Sequence, residues 1–111
     1  MSESRRDPRI PYSGVVFISW KTFDGHRNHV LGRAVALSER EIGIELATRI
    51  PVGSFVRVKA DSLNLDGSGA VRHVVARPVG YVLELELSGS LDTDILSELV
   101  ASQTTAVALL G

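Results

Sequence analysis

Tyr81-Val82-Leu83-Glu84-Leu85-Glu86-Leu87 is the stretch that decides the fold. Tyr81, Leu83, Leu85 and Leu87 fall on one side of an extended chain while Glu84 and Glu86 fall on the other, the period of two expected of a half-buried strand. The same alternation recurs upstream. Ile42, Ile44 and Leu46 flank Gly43 and Glu45, Val56 and Val58 alternate with Arg57 and Lys59, and Arg72 stands among apolar neighbours between Val71 and Val75. Strands of this kind must each bury one face against another, which points to a mostly β architecture.

Outward from these strands, Tyr12 to Lys21 is apolar on both faces, and Asp24-Gly25 gives a hairpin turn leading into His29 to Leu37. Pro51-Val52-Gly53, Asp66-Gly67 and Pro78-Val79-Gly80 are further turn signals, and together they divide the chain into about six strands. This spacing predicts a small antiparallel barrel or sandwich. A single helix follows: Ser90 or Asp92 can cap it, Asp92 and Asp94 suit its first turn, and Leu91, Ile95, Leu96, Leu99 and Val100 form an apolar stripe. Ala101 to Gly111 either extends that helix or frays. The expected organisation is a flexible arginine-bearing arm over residues 1–11 and one barrel domain with its helix and tail over 12–111.

A chain of 111 residues without cysteine is long enough for one core and excludes disulfides and thiolate metal sites. Its 12 basic and 13 acidic residues give a net charge of -1, so the domain as a whole does not attract polyanions, and DNA, RNA and membrane insertion are not expected. Single-stranded nucleic acid in particular would need stacking platforms, and only 5% of the residues are aromatic. With neither a long apolar run nor a signal core after Met1, the expected location is the cytoplasm. The basic side is skewed: Lys21 and Lys59 are the only lysines, and arginine is the side chain suited to bidentate anion and guanine contacts.

Of the histidines, His26 and His29 bracket a turn and His73 lies in a strand, where a hydrogen-bonded structural role is expected. A metal at His26 and His29 would find only Asp24 as a further local ligand, so a solvated turn is the better reading. No phosphate loop, nucleophile elbow or carboxylate pair is present, so an enzyme is not expected and no cofactor is implied. The N-terminus carries the chemistry instead. Arg5, Arg6 and Arg9 lie on a segment that Pro8 and Pro11 keep out of helix, and their forked cations can hold phosphate, grip the O6 and N7 edge of guanine, or stack on a purine.

Taken in succession, three segments resemble the PilZ domain family of bacterial cyclic di-GMP receptors. Arg5-Arg6-Asp7-Pro8-Arg9-Ile10-Pro11 matches the family's RxxxR motif through Arg5 and Arg9. Gly32 to Leu46 occupies the place of the [D/N]xSxxG motif and the strand after it, with Ser38 at the serine position. Gly69-Ala70-Val71-Arg72-His73 and Gly80 to Leu87 are similar to the last two barrel strands. The resemblance implies a six-stranded antiparallel barrel of PilZ type with a C-terminal α-helix. It also implies that Arg5, Arg6 and Arg9 clasp cyclic di-GMP, that Ser38 meets a guanine edge, and that ordering of the arm signals to a protein effector whose identity is open.

The second motif departs from the family pattern at Ala36, where Asp or Asn is expected, and at Glu41, where Gly is expected. Ala36 offers no acceptor to guanine N–H groups, a loss of about 1 to 3 kcal/mol. A backbone that required positive φ would strain Glu41, and its carboxylate would repel phosphate, with Arg40 beside it as a partial offset. Two functions follow: a cyclic di-GMP binding adaptor, or a degenerate domain of the same type that binds no nucleotide and acts through protein contacts. For the second, the apolar segment Tyr12 to Lys21, with Phe17 and Trp20, is a candidate partner surface unless these side chains are core.

Overall fold

The computed structural model describes residues 9–110, with side chains described as far as Ser102. Six strands form a closed antiparallel barrel in the order β1-β2-β3-β6-β5-β4, followed by one helix. The strands are β1 (Ile10–Lys21), β2 (Arg27–Leu37), β3 (Glu41–Leu46), β4 (Phe55–Ala60), β5 (Leu65–Ala76) and β6 (Tyr81–Leu87), and the helix is α1 (Thr93–Leu110).

The alternation read from the sequence is the alternation of the barrel wall. Leu83 and Leu85 are buried while Glu84 and Glu86 lie on the outer side, and Ile42 and Ile44 of β3 face their β6 partners Leu85 and Leu83 across the sheet. Each such fully buried Leu or Ile stabilises the fold by about 1.5 to 3 kcal/mol relative to an exposed one. Val16, Ile18, Val56, Val58 and Val71 complete the wall of the core. Loop residues close the ends: Leu63 and Leu91 are buried at the end where α1 begins, and Ile50, from the β3–β4 connection, is buried at the other.

The β1–β2 hairpin turns where Asp24-Gly25 predicts. Gly25 takes φ +90°, the Thr22 amide donates to the His26 carbonyl at 2.8 Å, and Lys21 pairs with Arg27. β1 begins at Ile10 rather than Tyr12, because Ile10 is drawn into the core opposite Leu37. The Asp66-Gly67 turn is not formed. Asp66 and Gly67 lie inside β5, paired with Lys59 and Val58, and the chain reverses earlier through a single 3-10 turn, Asp61–Leu63. Asn64 makes that reversal possible by adopting the left-handed conformation, φ 52°, that Asn accepts more readily than most residues.

Asp92 caps α1, accepting from the Asp94 amide at 2.8 Å through its side chain and from the Leu96 amide through its carbonyl. Ile95, Leu96 and Leu99 pack against the barrel core, whereas Val100 is exposed. The helix continues through the tail to Leu110. Trp20 packs against the core, but Phe17 points outward from β1 and is 55% exposed. No helix among the described residues is long and apolar enough to cross a membrane.

Candidate functional site

Arg9 is the last residue before β1, and burial of Ile10 fixes where its side chain starts. From there the guanidinium crosses the outer surface of β2 and β3. It can do so because the residues beneath are small: Ala36 and Gly43 are cross-strand partners, and a Cβ at Gly43 would lie 3.6 Å from Arg9 Nη1. Arg9 Nη2 donates to Glu84 Oε1 of β6 and, at 3.3 Å, to Glu41 Oε1 of β3. The site is therefore a shallow trough floored by Ala36 and Gly43, crossed by one cation and walled by two carboxylates.

The register explains the charge. Glu41 stands directly opposite Glu86, and Gly43 opposite Glu84, so three carboxylates crowd neighbouring outward positions of β3 and β6. Like charges directly across a sheet destabilise it. Arg9 relieves Glu41 and Glu84, and Arg72 relieves Glu86 through its Nε at 2.6 Å. Arg9, Glu41 and Glu84 are 39%, 41% and 28% exposed, so water screens each pair and each is worth about 0 to 1 kcal/mol. The arrangement holds the Arg9 guanidinium on the barrel wall by weak, water-screened pairs.

Three irregularities in the ladder surround this trough, between Pro11 and Gly14, between Ala34 and Ala36, and between Val71 and His73. Bulges re-aim side chains locally. The last of them leaves Arg72 unpaired in the ladder and turned toward Glu86. It also exposes His73, which makes no side-chain hydrogen bond among the described residues, against the structural role expected of it. His26 is exposed in the turn, its Nδ1 3.0 Å from Asp24 Oδ2, and no group of three metal-binding side chains exists among the described residues.

Ser38 closes the β2–β3 turn, its amide donating to the Glu41 carbonyl at 2.9 Å. It is only 5% exposed and borders a groove that Ile10, Glu39 and Leu96 also line. Glu39 and Arg40 are solvated in the turn, whereas Glu41, which the sequence also suggests for a solvated turn, is the half-buried first residue of β3. Glu41 carries no backbone strain: it is the first residue of β3, and Asn64 is the only described non-glycine residue with positive φ. Arg5 and Arg6 lie outside the described residues.

Glu84 was legible in sequence only as a solvent-facing position of a strand. Its proximity to Arg9 depends on the pairing of β3 with β6, which no local pattern specifies. The short side chains at Ala36 and Gly43 were the available signal, since together they leave room for a long side chain to lie across the strands.

No family model and no curated protein matches the chain by sequence. Comparison with solved structures gives clear neighbours. The chain is similar to the Bacillus subtilis inhibitor of motility, MotI/DgrA, with a TM-score of 0.68 and 16% identity over 94% of this chain. It spans about half of that protein, 53% of its length. It is also similar to the PilZ domain of YcgR from Escherichia coli, a structure containing c-di-GMP, with a TM-score of 0.60 and 17% identity over 78% of this chain and 79% of that one. The fold is that of a PilZ domain, a six-stranded barrel with a C-terminal helix.

Proposed function

We propose that this chain, having the fold of a PilZ domain, is a cytoplasmic, non-enzymatic adaptor that binds cyclic di-GMP at the junction of arm and barrel and signals through a partner protein. The observation that carries the reading is the position of Arg9, at the foot of the N-terminal arm with its guanidinium on the outer barrel wall. In this reading Arg9 leaves Glu41 and Glu84 to take a phosphate and guanine of the ligand. Arg5 and Arg6 follow from the arm, and Ser38 meets a guanine edge. A guanidinium binds phosphate through two parallel charge-assisted hydrogen bonds, which exceed what a screened carboxylate pair offers.

The same geometry makes the site weak. Glu41 and Glu84 compete with phosphate for Arg9, and once Arg9 departs they stand beside Glu86 with less compensation. Ala36 provides no acceptor for guanine, which costs about 1 to 3 kcal/mol. Calorimetric titration with cyclic di-GMP, with GTP as control, tests the reading. Saturable binding in the micromolar range, lost in Arg9→Ala, supports it, and absence of heat from the folded protein overturns it.

A second reading has its own observation. The Arg9 pairs with Glu41 and Glu84 give the arginine two internal carboxylate partners without a ligand. In that case the barrel is a degenerate PilZ domain in which Arg9 pins the start of β1, and the protein acts through protein contacts alone.

A further inference from the structure

Val16 and Ile18 point into the barrel, so Phe17 must point out, and the register sets it opposite Leu31 of β2 on one side and Lys59 of β4 on the other. Phe17 is 55% exposed and Leu31 58% exposed. They floor a groove of roughly 750 Å³ edged by His29, Arg57, Lys59, Asp61 and Asp66. Asp66, the cross-strand neighbour of Lys59, is engaged by Arg57 at 2.9 Å, and no carboxylate forms an ion pair with Lys59 among the described residues. At the hairpin end of the same face Lys21 stands directly opposite Arg27, again with no paired acid among the described residues. Two cations facing one another across a ladder destabilise it until an anion sits between them.

We infer that this face of β1, β2 and β4 docks an acidic segment of a partner protein that presents a bulky apolar side chain between carboxylates. The apolar side chain fills the groove over Phe17 and Leu31, and the carboxylates meet Lys59, Lys21 and Arg27. Charge complementarity selects this occupant over the others. Isologous pairing with a second copy would bring a face on which Lys21, Arg27, Arg57 and Lys59 outnumber Asp61 and Asp66 against another of the same net charge. Strand addition would engage the backbone of residues 27–32 of β2, which pair only with β1, and would leave the groove and the cations on the sheet's face unused. Single-stranded nucleic acid would find one phenylalanine in the groove and no Tyr or Trp on which to stack. The inference supplies a partner surface to the adaptor reading and does not depend on nucleotide binding, since the trough of Arg9 is floored by β2 and β3 and reaches β6.

The test immobilises the full chain and selects from a library of short random peptides. Enriched peptides are then titrated calorimetrically against the wild type, Phe17→Ser, and the double variant Lys21→Glu with Lys59→Glu. The expected peptides flank Leu, Ile, Phe or Trp with Asp or Glu, and each variant weakens them by about tenfold or more. Melting curves establish that each variant is folded, and Leu31→Ser replaces Phe17→Ser if that chain does not fold. Failure to enrich any peptide overturns the inference. So does binding that the charge reversal leaves unchanged, or an oligothymidylate that outcompetes the peptides. Cyclic di-GMP titrations of the same variants are expected to match the wild type, so loss of peptide binding and loss of nucleotide binding are separate results.

Discussion

Arg9 and Glu84 are 75 positions apart in sequence and are hydrogen-bonded on the outside of the barrel, with Glu41 as the second acceptor. The contact exists because β3 is paired to both β2 and β6, and because Ala36 and Gly43 leave the path between them clear. Glu41 occupies the place where the resemblance leads one to expect a glycine, and the structure gives it a definite partner. The departure from the family pattern and the position of the arginine are thus one feature.

Removing the competing carboxylates is expected to strengthen nucleotide binding. Glu41→Gly with Glu84→Gln should tighten cyclic di-GMP by about three- to tenfold, the range of a screened pair or two. Calorimetry at low and moderate salt measures this. Equal affinities in variant and wild type would show that the acids do not hold Arg9 back.

Arg9→Ala is expected to abolish nucleotide binding while lowering Tm by no more than a few degrees, since its ion pairs are half-exposed and worth about 0 to 1 kcal/mol each. Part of that loss comes from repulsion among Glu41, Glu84 and Glu86, so adding Glu84→Gln to Arg9→Ala should restore some of it. A thermal melt reads both. A fall much larger than this means that Arg9 is a structural clamp, as the second reading has it.

Asn64 is the one described non-glycine residue in the left-handed region, and it makes the β4–β5 reversal. Asn64→Val should cost about 1 to 2 kcal/mol, because a branched Cβ is disfavoured there, and Asn64→Gly should be close to neutral. Urea midpoints of the two variants check the ordering. Equal midpoints would place the reversal elsewhere.

The Thr22 hydroxyl, and then the His26 amide and side chain, hold the Asp24 carboxyl below the usual carboxylate range. A depressed folded-state value means that the carboxylate steadies the β1–β2 turn above its unfolded pKa, and that this support is lost as pH falls through the lower, folded value. Thr22→Val should move the Asp24 titration back toward the ordinary range, followed by the carboxyl carbon resonance. An unchanged titration would assign the shift to His26 instead.

The sequence carried the barrel in its alternation, because a strand with one wet face must place polar residues at every second position, and Leu83, Glu84, Leu85 and Glu86 do so. The helix was legible from Asp92 and the stripe that follows it. The β4–β5 turn was not, since Asp66-Gly67 carries the stronger punctuation while Asn64 carries the conformation. Gly67 is tolerated within β5 because it pairs with Val58 on a ladder held by its neighbours.

Of the candidate site, Arg9 could be singled out from its place in the arm, but its partners could not. Glu41 stood out as a departure from the family pattern, and its contact with Arg9 depends on the register of three strands. Ser38 shows the reverse. The motif singles it out, and the structure places it in the tight turn that joins β2 to β3, with its amide bonded to Glu41 and little of its surface exposed. The exposure of Phe17 could not be decided from a segment that is apolar on both faces, and closure of the barrel settles it.

The most direct test of the account follows the guanidinium resonance of Arg9 and the side-chain carboxyl resonances of Glu41 and Glu84 by nuclear magnetic resonance while cyclic di-GMP is added. All three are expected to move together and to saturate at one ligand concentration, as Arg9 passes from carboxylate to phosphate. Saturation seen elsewhere on the protein with these three unmoved, or no saturation at all, would contradict it.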